Sequence, residues 1–164
     1  EMCIRDSLSM RFSGKARRPK EIAEFQNFKK FDYCSFVGFA ISKNIILNNG
    51  VVSDKFFIYS DDTTYTYLLS KKVGKIDLIG SGDLVFTHDC KRSTGKTLLK
   101  GNFGNYSVRN KIIFFRLCSR YSYFFIFIFI LQSLIAAPSK TLMILRSALE
   151  GLLIKKDDFG LIDV

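Results

Sequence analysis

The most pronounced hydrophobic pattern in the chain is an uncharged run of nineteen residues, Tyr121–Ser139, bounded by Arg120 and Lys140. As an α-helix this run would extend about 28 Å, close to the ~30 Å hydrocarbon thickness of a bilayer. Its first residues include two tyrosines, whose amphipathic rings favour the membrane interface. The pattern predicts one apolar transmembrane-type helix at 121–139.

Two other interpretations of this run stay open at the level of sequence. The segment Phe124–Ile130 is aromatic and β-branched throughout, as is typical of a fully buried strand in a water-soluble domain. The abundance of Phe and Ile also fits out-of-frame translation of AT-rich DNA. The chain would then be a chimeric or partly mistranslated open reading frame.

Between residues 32 and 110 the hydrophobic runs are short, and turn-forming residues separate them. Breaks of this kind occur at Asn48–Gly50, Asp61–Asp62 and Gly80–Gly82. Regular short strands are typical of a small barrel or sandwich. The predicted fold class is therefore α+β, with a small antiparallel β-rich region at 32–110. The candidate strands are Tyr33–Ile41, Ile45–Leu47, Lys55–Tyr59, Thr64–Leu69, Lys75–Ile79 and Leu84–Thr87.

Helical patterns flank the β-rich region on both sides. Before it, Pro19–Phe31 begins with proline and carries acids early and lysines late, which predicts a short helix within a basic arm at 8–31. The preceding residues, Glu1–Ser7, resemble the translation of a transposon-type sequencing adapter, and we expect them to be an artefact. At 140–164, leucines at helical spacing predict a short C-terminal amphipathic helix and a tail; these are Leu142, Leu145, Leu149 and Leu152.

Positive charge is concentrated in one part of the chain. There are 25 Lys and Arg residues against 15 Asp and Glu residues, which gives a net charge of +10. Residues 90–149 contain ten basic residues and no acidic one, so the charge of this stretch alone equals the net charge of the chain. Unbalanced positive charge favours an anionic partner, either lipid headgroups or nucleic acid. The aromatic residues lie beside the basic stretch and are not interleaved with it, which favours lipid.

Together these patterns predict a basic, membrane-associated protein whose partner is membrane lipid with anionic headgroups. A basic nucleic-acid-binding module that uses Lys91–Arg120 is an alternative. The residues expected to contact the membrane are Tyr121, Tyr123, Phe124, Phe125, Phe127, Phe129 and Leu131. The residues expected to contact anionic headgroups are Arg116, Arg120, Lys140 and Arg146.

A second alternative comes from the segment Gly38–Val52, which reads GFAISKNIILNNGVV. This segment resembles the stretch leading to the catalytic His of chymotrypsin-fold proteases, in both the trypsin-like and the picornavirus-type branches. Asp83–Phe86 resembles the strand start that carries the catalytic acid in those families. The resemblance, over residues 33–90, implies a first protease barrel. Gly50 stands at the His position and no nucleophile motif follows, so it implies a degenerate or truncated barrel.

Other motifs do not assign a reaction. Thr94–Thr97 ends like a phosphate-binding loop, but Cys90 stands where that loop requires its first glycine. Gly80–Gly82 begins like a dinucleotide-binding fingerprint, but the third glycine position is Val85. His88 and Cys90 supply too few ligands for a zinc site. We therefore expect no cofactor, no metal and no assignable small-molecule substrate, and we assign no catalytic activity.

Overall fold

The computed structural model describes residues 30–31, 33, 36, 39–73, 76–77, 103–159 and 161–162. These residues divide into two compact units: the first contains those up to 52, those from 62 to 77 and 161–162, and the second contains 53–61 and 103–159. The elements are β1 (Lys30–Phe31), α1 (Lys43–Asn49), β2 (Val51–Val52), α2 (Asp61–Lys72), β3 (Ile76–Asp77), α3 (Gly104–Cys118), α4 (Ser122–Ala136), α5 (Thr141–Leu153) and β4 (Leu161–Ile162).

The strands among the described residues form two antiparallel pairs of two residues each. In one pair β1 lies against β3, with Lys30 opposite Asp77, and in the other β2 lies against β4, with Val51 opposite Ile162. Neither pair extends into a barrel or a sandwich. The described part of the chain is mostly helical, so the predicted α+β class with a β-rich region at 32–110 is wrong.

Helix α1 occupies the position predicted for the strand Ile45–Leu47. The β-branched residues there favour a strand only weakly, and local context overrides such a preference. The helix ends at Gly50, which has a φ of 89° and whose N–H donates to the carbonyl of Ile46 at 2.8 Å. Glycine adopts this left-handed conformation without steric cost, so it stops the helix and redirects the chain.

Helix α2 occupies the position predicted for the strand Thr64–Leu69, and it begins at the pair Asp61–Asp62 that predicted a break. Acids at the start of a helix and lysines at its end, here Lys71 and Lys72, complement the helix dipole. The Tyr65 hydroxyl is buried and donates to the carbonyl of Gly50 at 3.1 Å. Burial raises the pKa of Tyr65 above its ordinary value of 10.0.

The predicted strand Lys55–Tyr59 belongs to the second unit and is also not a strand. It consists of a 3-10 turn, Asp54–Phe56, followed by bends in which Phe57 and Tyr59 have positive φ angles of 61° and 67°. Non-glycine residues rarely adopt this conformation unless surrounding contacts hold them. Here the contacts come from α3, whose Asn110 side chain reaches three carbonyl groups of this segment.

Helix α3 forms the centre of the second unit. Its side chains are buried around most of its circumference, including Val108, Ile112 and Phe114. It packs against α4, α5 and the 3-10 turn Lys156–Phe159, where the ring of Phe159 meets that of Phe56 edge to face at 4.9 Å. Because α3 contributes most of the core, each neighbouring helix needs to bury only one of its faces.

The predicted span at 121–139 is divided. Helix α4 ends at Ala136, and Pro138 starts a short 3-10 turn that leads into α5. Proline lacks an N–H and disfavours a helical conformation at the residue before it; Ala137 has φ −144° and ψ 67°. At fifteen residues, α4 is only about 22 Å long.

No single helix among the described residues is long and apolar enough to cross a bilayer. In the described part of the chain, only α4 and the segment Pro138–Leu153 together meet the requirements of length and composition, and they are bent by 113°. The prediction of one transmembrane-type helix is therefore wrong.

Some predictions lie outside the described residues. These are the segment 1–29, including Glu1–Ser7, and the motifs between residues 78 and 102. Of the predicted strand Lys75–Ile79, the two described residues do form β3. Of Tyr33–Ile41, the last three residues form neither helix nor strand.

Candidate functional site

Helix α4 is apolar around its whole circumference but buries only one side. The side away from the core carries large exposed residues, among which Tyr123 is 76% exposed and Phe127 is 66% exposed. At about 100° per residue, these positions lie within one half of the helix surface. We call this surface the α4 stripe; its members are Tyr123, Phe124, Phe127, Leu131 and Ile135.

The opposite side of α4 packs against α3. The Phe115 ring of α3 lies 6.0 Å from the rings of both Phe125 and Phe129, measured between centroids. Phe125 and Ile126 are buried, while the hydroxyl of Ser133 is satisfied because it donates to the carbonyl of Phe129 at 2.8 Å. Two residues expected to contact the membrane, Phe125 and Phe129, therefore contact the core.

Helix α5 shows the same division in a more pronounced form. Its buried side has small or branched residues, namely Ile144, Ser147, Ala148 and Gly151. Four of its five leucines are exposed on the other side, and among them Leu142 is 81% exposed. An amphipathic helix in a water-soluble protein normally buries its leucines, so this arrangement is the reverse of the usual one. We call this surface the α5 stripe; its members are Leu142, Leu145, Leu149 and Leu153.

Gly151 explains why the small side of α5 faces inward. A Cβ atom at this position would lie 2.8 Å from the carbonyl oxygen of Arg109 and 3.1 Å from the Cβ atom of Ile112. Only glycine permits so close an approach of α5 to α3. The backbone contact thus selects the side with Gly151 for the core and leaves the leucines outside.

Half of the basic residues between 103 and 149 are used within the second unit. Arg109 pairs with Glu150 at 3.2 Å, and Lys111 lies 4.6 Å from the ring centroid of Phe114. The Nη1 atom of Arg116 donates to the carbonyls of Gly151 and Ile154, at 2.6 and 2.7 Å. Arg116 therefore caps the C-terminus of α5. Arg116, expected at a headgroup, is therefore turned inward.

The other three basic residues of this range are Arg120, Lys140 and Arg146, and all are exposed. Within the part of the chain that the structure describes, their side chains make no hydrogen bond or ion pair. Arg120 and the half-exposed Tyr121 precede α4, Lys140 lies between α4 and α5, and Arg146 lies on α5 beside the α5 stripe. The exposed positive charge thus accompanies the exposed apolar surface.

No group of three or more His, Cys, Asp and Glu residues that could hold a metal ion occurs among the described residues. No protein-family model, no curated protein and no solved structure matches the chain. The proposed resemblance to chymotrypsin-fold proteases is therefore wrong: the described residues form no barrel, and Ile45–Leu47 is helical where that resemblance requires a strand.

Sequence reasoning missed which side of each helix would be exposed. The relevant signal was present in α5, where Ser147, Ala148 and Gly151 share one side and allow close helix packing. In α4 no comparable signal exists, because apolar residues occupy every side. There the choice depends on the tertiary contact with Phe115.

Proposed function

We propose that this protein is a membrane-associated protein that binds the surface of a lipid bilayer through the α4 stripe and the α5 stripe. The proposal rests on one observation: two consecutive helices of a packed unit keep large apolar side chains exposed on the sides away from α3. Large apolar side chains that are exposed together on one side of a helix mark an interaction site. The proposal assigns no reaction to the chain.

The free energy available from these stripes is sufficient for reversible binding. Full burial of one Leu or Phe side chain contributes about 1.5–3 kcal/mol. Three such side chains contribute about 5–9 kcal/mol, and micromolar affinity requires about 8 kcal/mol. The stripes together contain nine large apolar residues, so partial insertion is enough.

The position of the charges favours binding along the surface of the bilayer. Arg120, Lys140 and Arg146 lie before, between and within the two helices, and a charged residue in the hydrocarbon centre costs about 2.5–3.5 kcal/mol. Helices that lie in the interface insert their apolar side only about 5–10 Å. Such shallow insertion keeps α4 and α5 on α3 and keeps all three charges in the headgroup layer.

Flotation with phosphatidylcholine vesicles tests this proposal. We expect the wild-type protein to float with the vesicles, and we expect Phe127→Glu and Leu149→Glu to stay in the bottom fraction because each places a charge within a stripe. Gln132→Glu is the matched control, since it adds the same charge to an exposed position of α4 outside the α4 stripe. This variant should float as the wild type does.

Two results would overturn the proposal. One is equal flotation of the wild type and both stripe variants, which would show that the stripes do not contact lipid. The other is a stable dimer in analytical ultracentrifugation that Leu149→Glu converts to a monomer. In that case a second copy of the chain covers the stripes. Circular dichroism of each variant verifies that the helices are retained.

A further inference from the structure

We infer that the bilayer surface recognised by this protein is anionic, and that Arg120, Lys140 and Arg146 are the residues that recognise it. This inference rests on the proposed function, because the three cations act only where the α4 and α5 stripes already meet lipid. It identifies the partner as phospholipid with a net negative headgroup. It also separates these residues from the other basic residues between 103 and 149.

The separation follows from the contacts of each cation. Arg109 and Arg116 are committed to Glu150 and to the C-terminus of α5, and Lys111 lies over the rings of Phe114 and Phe115. Sequence composition alone treats all six basic residues between 103 and 149 alike. The structure leaves three of them exposed, and those three adjoin the apolar stripes.

The charge balance around the stripes supports an anionic partner. Between residues 103 and 149 there is no acidic residue, and the first one, Glu150, is paired with Arg109. Glu150 directly follows Leu149 of the α5 stripe and its side chain is 48% exposed, but its ion pair with Arg109 offsets the charge that would repel anionic headgroups. Cations beside an anionic leaflet each strengthen binding about fivefold, so three together would give about a 100-fold preference.

Binding to two kinds of vesicle tests the inference. One kind contains phosphatidylcholine alone, and in the other phosphatidylserine replaces about a third of it, a composition with a negative surface potential. We expect the wild type to bind the anionic vesicles about 100-fold more tightly at low salt, and we expect salt to reduce this ratio. Lys140→Gln and Arg146→Gln should each lower the ratio about fivefold and leave binding to neutral vesicles unchanged.

Lys43→Gln is the matched control, because Lys43 is an exposed lysine of the first unit, at the start of α1. Its ratio should equal that of the wild type, and a fivefold loss there would overturn the assignment to the three residues. Equal wild-type affinity for both vesicle types would overturn the inference while the proposed function stands. Absence of binding to either vesicle type would overturn both.

Discussion

The contact between α3 and the segment 53–60 makes Asn110 the most informative residue of the second unit to change. Its side chain is fully buried, and its amide nitrogen lies 2.8 Å from the carbonyl oxygen of Phe56, 2.6 Å from that of Ile58 and 3.0 Å from that of Tyr59. Its amide oxygen accepts a hydrogen bond from Nε of Arg109 at 2.9 Å. Asn110→Leu keeps the volume and removes every one of these bonds.

The expected loss in the free energy of unfolding is about 1–3 kcal/mol. The carbonyl of Phe56 keeps its hydrogen bond from the N–H of Ile58 at 2.7 Å, so losing the bond from Asn110 costs about 0.5–1.5 kcal/mol there. The carbonyls of Ile58 and Tyr59 are only partly buried and can bond to water, so each costs at most about 1 kcal/mol. A domain of this size is stabilised by roughly 5–15 kcal/mol, so the change is readily measured.

Urea denaturation followed by circular dichroism measures this loss. Asn105→Leu is the control, because Asn105 is an exposed residue in the first turn of the same helix and its replacement should change stability by less than about 0.5 kcal/mol. If Asn110→Leu were as stable as this control, the Asn110 amide would not be holding the segment 53–60 against α3. The positive φ angles of Phe57 and Tyr59 would then need another cause.

Three further predictions concern other contacts. Gly151→Ala should lower stability by about 1–3 kcal/mol because its Cβ atom would lie 2.8 Å from the carbonyl oxygen of Arg109; unchanged thermal denaturation would contradict this. Arg116→Met should cost about 1–3 kcal/mol by leaving the carbonyls of Gly151 and Ile154 without a donor, and Arg116→Lys should recover part of the loss in urea titrations. Because burial raises the pKa of Tyr65, its protonated hydroxyl contributes its full stability below pH 10.0, and this contribution is lost as the pH rises through the pKa of the folded state. Tyr65→Phe should remove this pH dependence of the free energy of unfolding, and a variant that retains it would contradict the assignment to Tyr65.

The helices of the second unit show which features the hydrophobic pattern predicts and which it does not. Leucine spacing predicts a short amphipathic helix within residues 140–164, and α5 lies there, but four of its five leucines face outward because the close contact at Gly151 determines its orientation. The uncharged run predicts a single span, whereas Pro138 divides it, a signal that was visible in the sequence. Patterning therefore identifies apolar segments more readily than it identifies the side that packs.

In the first unit the strand predictions were wrong because the strand preference of individual residues was given too much weight. Ile45–Leu47 and Thr64–Leu69 contain β-branched and aromatic residues, yet both are helical. In α2 the decisive signals are charges: Asp61 and Asp62 begin a helix that ends with lysines. The contacts that fix these helices, such as the Tyr65 hydroxyl with the carbonyl of Gly50, join residues that the sequence does not show to be close.

The exposed cations illustrate a further limit of sequence reasoning. Composition identifies the basic stretch, but it does not show that Arg116 of α3 caps the C-terminus of α5 while Arg146 lies exposed on α5 itself. That difference depends on which side of α5 meets α3. The residues proposed to contact headgroups therefore follow from the packing of the two helices.

The most direct test of membrane binding through the stripes uses the fact that the chain contains no Trp. Phe127→Trp and Leu149→Trp each introduce one fluorophore into a stripe, and Gln132→Trp introduces one outside it. With vesicles whose acyl chains carry bromine, we predict blue-shifted and quenched emission from both stripe positions, and much weaker quenching at 132. Emission from Phe127→Trp and Leu149→Trp that is unchanged by the vesicles would contradict insertion of the stripes into lipid.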